Sequence, residues 1–196
     1  GYGGPVLKDF RRSKECFDAV FERMREMQIV DVFSRMHPVL GVGFEKTDSD
    51  CVESGSVVLI DIKEQSATLA SYGSRLRYDI RKLKQSGVVI ELDYECVHIN
   101  EFHKIYMEAM HNLAADDYYR FDENYFRRLI RMKRSKVILI FARYKNIRIG
   151  AGMFIITNHI MQYYLSGALG AFRRLSPAKL VLEAAHQLAI DWGLQY

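Results

Sequence analysis

The chain has 196 residues, 49% of them hydrophobic, 27% charged and 12% aromatic, a composition that folds around a sizeable core as one large domain or two small units and excludes a disordered or fibrous protein. Its 28 basic and 24 acidic residues leave a formal net charge of +4, too mild an excess for a dedicated nucleic-acid binder. Cys16, Cys51 and Cys96 are odd in number, far apart and without a CxxC pair, so the expected setting is a reducing cytoplasm, with neither a disulfide framework nor a zinc site. No apolar run approaches the ~20 residues of a membrane span, and "GYGGPVLKDF" lacks a signal-peptide layout.

In chain order, Phe17, Val20, Phe21, Met24 and Met27 recur at helical spacing in residues 14–27, after which "QIVDVFSRMHP" reads as a strand stopped by Pro38. "SVVLIDI" (56–62) has the form of a short buried strand. Leu69, Tyr72, Leu76, Ile80 and Leu83 then recur every three or four residues up to Gly87, where a helix should end. "VVIELD" (88–93) is another strand, followed by a long helix with an apolar face of Ile99, Phe102, Ile105, Tyr106, Ala109, Met110 and Leu113, and by a shorter helix over 122–132. From Lys136 the pattern changes to three strands, "KVILIFA", "IRIGAGMFII" and "IMQYYLSGAL", joined by the turns "YKN" and "TNH", which predicts an antiparallel meander. A last helix is predicted with Ser176 as N-cap, Pro177 at its first position, an apolar stripe through Val181, Ala184, Ala185, Leu188 and Trp192, and Gly193 as its stop. From residue 88 the order is β-α-α-β-β-β-α.

That order resembles the core of the GNAT acyltransferase fold. More narrowly, "YGGP" (2–5), "SRMHP" (34–38), "VVLIDI" (57–62), "SRLRYDIRKLKQSGVVIE" (74–91), "YMEAMHNLAADDYYRFDENYF" (106–126) and "YYLSGALGAFRRLSPAKLVLEAAHQLAIDWG" (163–193) resemble the Fem-type aminoacyltransferases of peptidoglycan bridge synthesis and their uncharacterised relatives. The resemblance implies an α/β protein of tandem GNAT-like units with mixed, largely antiparallel sheets flanked by helices. Both units are expected to be truncated: 1–86 a partial first unit, 87–196 a second unit lacking its last strands. The echo between "KDFRRSKECFDAVFERM" and "GAFRRLSPAKLVLEAAHQL" fits a repeat, although Phe-Arg-Arg recurs at 126–128. The implied activity is transfer of an aminoacyl or acyl group onto an amine of a peptidoglycan or polysaccharide precursor. The expected donor is aminoacyl-tRNA ahead of acyl-CoA, with no bound cofactor. Asn112 stands where relatives usually carry an arginine, so no substrate role carries over to it.

Three groups of residues are candidate binding sites. Gly167, Gly170, Arg173, Arg174 and Ser176 lead into the last helix, where backbone N–H groups, the helix dipole and two guanidinium groups suit a donor phosphate. A capped helix start with two solvated arginines is the alternative, and the Q/R-x-x-G-x-G/A arrangement of ordinary acetyl-CoA-binding members is absent. Arg77, Arg81 and Lys84 fall at i, i+4 and i+7 with Lys82 beside them, either a solvated helix face or a guide for the phosphates of a tRNA or a nucleotide-linked precursor. Asp116, Asp117, Tyr118 and Tyr119 occupy a loop between two helices and either line an acceptor pocket or join the core.

Metal binding is not expected, since His98, His103 and His111 come without a carboxylate ligand set. GxSxG, HExxH and Walker patterns are missing. Aminoacyl transfer runs largely on proximity and on donors for the oxyanion, so the catalytic base stays unnamed. Two other readings remain open: a non-catalytic binding module on a degenerate GNAT fold, and an acyl-CoA-dependent small-molecule N-acyltransferase. Open sheet edges predict self-association.

Overall fold

The computed structural model describes residues 10–38, 55–62 and 71–196, which belong to two compact units, Gly1–Val58 and Leu59–Tyr196. In the first unit a 3-10 turn over Phe10–Arg12 leads into α1, Ser13–Glu26, as the periodicity predicts. No residue of α1 is buried, and Phe17 stacks on Phe21 at 5.9 Å. The strand predicted over "QIVDVFSRMHP" does not form, apart from a single bridge residue at Met36. Gln28 turns the chain out of α1 at φ 56°, and the residues after it are exposed, Val30 and Phe33 almost completely. A β-prone run becomes a strand only where a neighbour takes its backbone bonds.

The second unit is built on an antiparallel sheet of β1 (Val89–Asp93), β2 (Lys136–Tyr144), β3 (Ile147–Thr157) and β4 (Ile160–Ala168), in that spatial order. The predicted meander is therefore extended by β1, which pairs with β2 from Val89↔Arg143 to Asp93↔Leu139. Both hairpin turns rest on left-handed residues, Lys145 and Asn146 in one and Asn158 in the other. Strand alternation divides the core between the two faces. Val137, Leu139 and Phe141 pack with α3 (Ile99–Asn112) and α4 (Glu123–Ile130), whereas Ile138, Ile140 and Ala142 pack with α2 (Ser74–Gln85) and α5 (Ala178–Asp191).

The long apolar faces of α2 and α3 were legible; their partners were not. On α2, Ile80 and Leu83 are buried, and the helix is tied to α5 by Lys179–Asp79 at 2.7 Å and Lys84–Glu183 at 2.8 Å. The buried strand predicted over 56–62 is absent: residues 55–61 carry no strand and Val58 is 94% exposed. Ile62 donates its N–H to the Gln195 carbonyl, while Gln195 and Tyr196 bond to His159 and Met161 at the entry of β4.

Ser176 departs from its predicted role. It adopts φ 52°, closes a 3-10 turn over Gly170–Leu175, and bonds its N–H to Arg173; α5 begins at Ala178 without a side-chain cap. A cap needs an extended backbone that aims the hydroxyl at the first-turn N–H groups, and the left-handed turn gives only the Ser176 carbonyl to Lys179. Among the described residues no helix is long and apolar enough to cross a membrane, and no group of three or more His, Cys, Asp or Glu is placed to hold a metal ion.

Candidate functional site

The end of β4 is gripped from both faces, because glycines let helices approach the backbone. A Cβ on Gly167 would lie 2.8 Å from the Ile105 carbonyl and 3.1 Å from the Ala109 Cβ, so only glycine lets α3 rest on the strand there. On the opposite face, a Cβ on Gly150 would lie 2.7 Å from the Pro177 Cγ, which seats the start of α5 on β3. Gly150 pairs with Ala168, and Ala151 with Gly167, so both helices meet the same end of the sheet. Two pairs further along, the ladder slips: Met153 pairs with Leu165 but Phe154 with Tyr163, leaving Tyr164 without a counterpart. Such a bulge bends the strand and re-aims side chains.

The turn Gly170–Leu175 crosses this end. Its first residue donates its N–H to Glu108 Oε1 at 2.7 Å, and a Cβ there would meet Asn112 Nδ2 at 2.8 Å. A carboxylate therefore already binds the backbone donor at Gly170, which identifies an anion position by its occupant. Arg173 and Arg174 are exposed, without an ion-pair partner among the described residues, and the first turn of α5 contains no acidic residue. Of the five donor-site candidates, Gly170 supplies the bonded N–H, and Arg173 and Arg174 follow it in the same 3-10 turn. Gly167 lies against α3 and the Ser176 hydroxyl forms no cap.

The acceptor candidates form one short structure. Asp117–Tyr119 is a 3-10 turn closed by the Tyr119 N–H on the Asp116 carbonyl, and Tyr106 donates its hydroxyl to the Tyr119 carbonyl at 2.5 Å. Asp117 pairs with Arg120 at 3.1 Å, and Tyr118 is 78% exposed. From this turn a row of rings leads to the bulge: Tyr118 meets Phe121 edge-on, Phe121 stacks on Tyr125 at 4.2 Å, and the Tyr125 and Tyr164 hydroxyls share a hydrogen bond. Burial pushes Tyr106 up to about 12, and burial together with the Tyr164 bond holds Tyr125 above the ordinary tyrosine range. Both stay protonated at neutral pH.

The basic face falls elsewhere. Arg77, Arg81 and Lys84 line a groove with Tyr72, Ile80, Gln85 and Glu183, of about 730 Å³, in the helical layer that packs against the face opposite to α3 and α4. The three histidines are dispersed: His98 lies 3.7 Å from Glu91 and 3.6 Å from Glu101, His103 bonds to the Phe121 carbonyl, and His111 is exposed.

Glu108, Tyr125 and Tyr164 were missed by sequence reasoning. Glu108 is an exposed helix residue whose partner is 62 positions away, and a one-residue slip in a ladder leaves no local pattern. The end of β4 leads to a backbone donor at Gly170 that holds a carboxylate, and the bulge earlier in β4 carries the hydrogen-bonded pair Tyr125 and Tyr164, of which Tyr125 is kept protonated by burial; a charged donor and a proton source are what group transfer uses. The family described as Acetyltransferase (GNAT) domain matches residues 70–196. Comparison with curated proteins gives no match.

Proposed function

The chain belongs to the GNAT acetyltransferase family and is an acyltransferase; we propose that it moves an aminoacyl or acyl group onto an amine of a cell-envelope precursor, in the manner of Fem-type enzymes. The observation that carries this reading is the end of β4, where α3 and α5 close on opposite faces and the Gly170 N–H already holds a carboxylate. In this reading the phosphates of the donor take the place of Glu108 at Gly170, with Arg173 and Arg174 as counter-charges. Aminoacyl-tRNA ranks ahead of acyl-CoA as donor, because "GAFRRLSP" lacks the glycine spacing that wraps a pyrophosphate. The acceptor enters over Asp116, Asp117, Tyr118 and Tyr119. We extend the reading to two GNAT-like units in the whole chain.

In the transfer step the acceptor nitrogen attacks the carbonyl carbon of the donor ester or thioester. A C–N bond forms, the C–O or C–S bond breaks, the nitrogen gives up a proton and the leaving oxygen or sulfur takes one. Tyr125, whose hydroxyl burial keeps protonated and which shares a hydrogen bond with Tyr164, is suited to hand over that proton. The test is a transfer assay by mass spectrometry, with aminoacyl-tRNA or acetyl-CoA as donor and UDP-linked muropeptides and simple amines as acceptors. The reading predicts an aminoacyl mass increment on the muropeptide. Transfer to simple amines from acetyl-CoA alone would replace the envelope substrate by a small molecule.

A further inference from the structure

The helix α2 holds five of the chain's 28 basic residues and one of its 24 acidic ones. Its net +4 equals the charge of the whole protein, and the other residues carry 23 charges of each sign. Concentrated charge of this kind has a local use that a mild overall excess conceals. Its acid, Asp79, is spent on Lys179 and Arg75. Arg81 and Lys82 have no ion-pair partner among the described residues.

Beneath the cations, α2 and α5 leave a seam between them. Beside the groove of about 730 Å³ is a second of about 610 Å³ lined by Val88, Val89, Ile90, Leu180, Ala184 and Gln187, and the Lys84–Glu183 pair borders both. These volumes suit a small molecule. The walls are unequal: Arg77, Arg81 and Lys84 on one side, the Tyr72 ring and Ile80 as apolar surface. Tyr72 is set before any ligand arrives, since its hydroxyl shares a 2.6 Å hydrogen bond with His186 Nδ1. His186 is only 6% exposed and its other ring nitrogen, Nε2, has no hydrogen-bond partner.

We propose that this seam is a second ligand site, for a nucleoside polyphosphate whose phosphates meet Arg77, Arg81 and Lys84 while its planar base lies along Tyr72 and Ile80. An inorganic anion would leave the apolar wall unused, and an uncharged nucleoside would leave the cations unused. Glu183, 9% exposed and paired with Lys84, competes with the phosphates for that cation, and because salt screens the attraction between phosphates and cations, affinity falls as salt rises. Neither Arg173 nor Arg174 lines either groove, and the proposal stands whether or not those residues bind a donor.

The probe is ADP, titrated calorimetrically at two salt concentrations beside pyrophosphate and adenosine. ADP should bind more tightly than either fragment and lose affinity as salt rises. Arg81→Gln, on an exposed position, should weaken ADP about tenfold with an unchanged melting temperature, and Tyr72→Ala should weaken ADP but leave pyrophosphate nearly unaffected. Arg173→Gln/Arg174→Gln should bind ADP as the native chain does. Absent ADP binding at millimolar concentration, or binding untouched by Arg81→Gln, overturns the proposal. So does loss of ADP binding in the Arg173/Arg174 variant alone, which assigns the nucleotide to the donor junction. An RNA oligonucleotide binding more tightly than ADP, with affinity growing with length, also overturns it, in favour of a nucleic-acid surface.

Discussion

At Ser176 a left-handed backbone (φ 52°) costs a residue with a Cβ about 1 kcal/mol. Ser176→Gly should therefore leave stability unchanged or raise it by up to ~1 kcal/mol. Ser176→Ala should change it by less than about 0.5 kcal/mol, since no cap bond is lost; urea unfolding of both variants checks this. An alanine cost near 1 kcal/mol would restore the predicted cap. Gly167→Ala should cost about 1–3 kcal/mol, because the group it meets is the Ile105 carbonyl, which cannot rotate away. At Cys96 burial pushes the thiol up to about 12, and its Sγ lies 3.4 Å from the Val137 carbonyl. Iodoacetamide at pH 8 should leave Cys96 unlabelled in the folded protein and label it in urea, as peptide mapping would show; rapid labelling of the folded chain would place the thiol at the surface. Glycines at close approaches and residues in left-handed turns have sequence cues, but the Ser-Pro pair gave the wrong one. It fits a capped helix start and a tight turn equally well, and only the path from β4 onto the far face of the sheet decides between them.

Among the elements, α1, α2, α3, α4, α5 and the meander were legible because each has a clear period or a turn residue at each end. Residues 28–38 and 56–62 were misread as strands because a short apolar run records β preference without recording whether a neighbouring strand exists. The tie across the sheet was equally invisible: Arg148 on β3 reaches past β2 to Glu91 on β1, lies over the Phe141 ring at 5.1 Å, and also binds Glu101 on α3. The Arg148 hydrogen bonds hold the Glu91 carboxyl below the usual carboxylate range. A depressed carboxyl adds stability that is complete above the ordinary value of about 4.3 and is lost as pH falls through the folded value. The stability gap between the native chain and Arg148→Met should thus be widest above pH 5 and close toward pH 2, as denaturant melts at stepped pH would reveal. A gap independent of pH would mean that Arg148 acts through packing on Phe141 and not through Glu91.

For the molecule as a whole, fold and acyltransfer class follow from element order together with the family match over 70–196. The substrate does not, because it depends on which side chains the end of β4 brings together across distances such as Glu108 to Gly170. The central claim is that the anion position at Gly170, with Arg173 and Arg174, seats the donor. The measurement that tests it most directly is titration of the native chain and of Arg173→Ala/Arg174→Ala with aminoacyl-tRNA and with acetyl-CoA at two salt concentrations. The account predicts that the double variant melts within about 0.5 kcal/mol of the native chain. It also predicts that the variant loses about 1.5–3 kcal/mol of donor affinity for each charged hydrogen bond removed, with a shallower dependence on salt. Equal affinity and equal salt slope in the two proteins would contradict it and leave the stretch from Gly170 to Ser176 a turn without a part in binding.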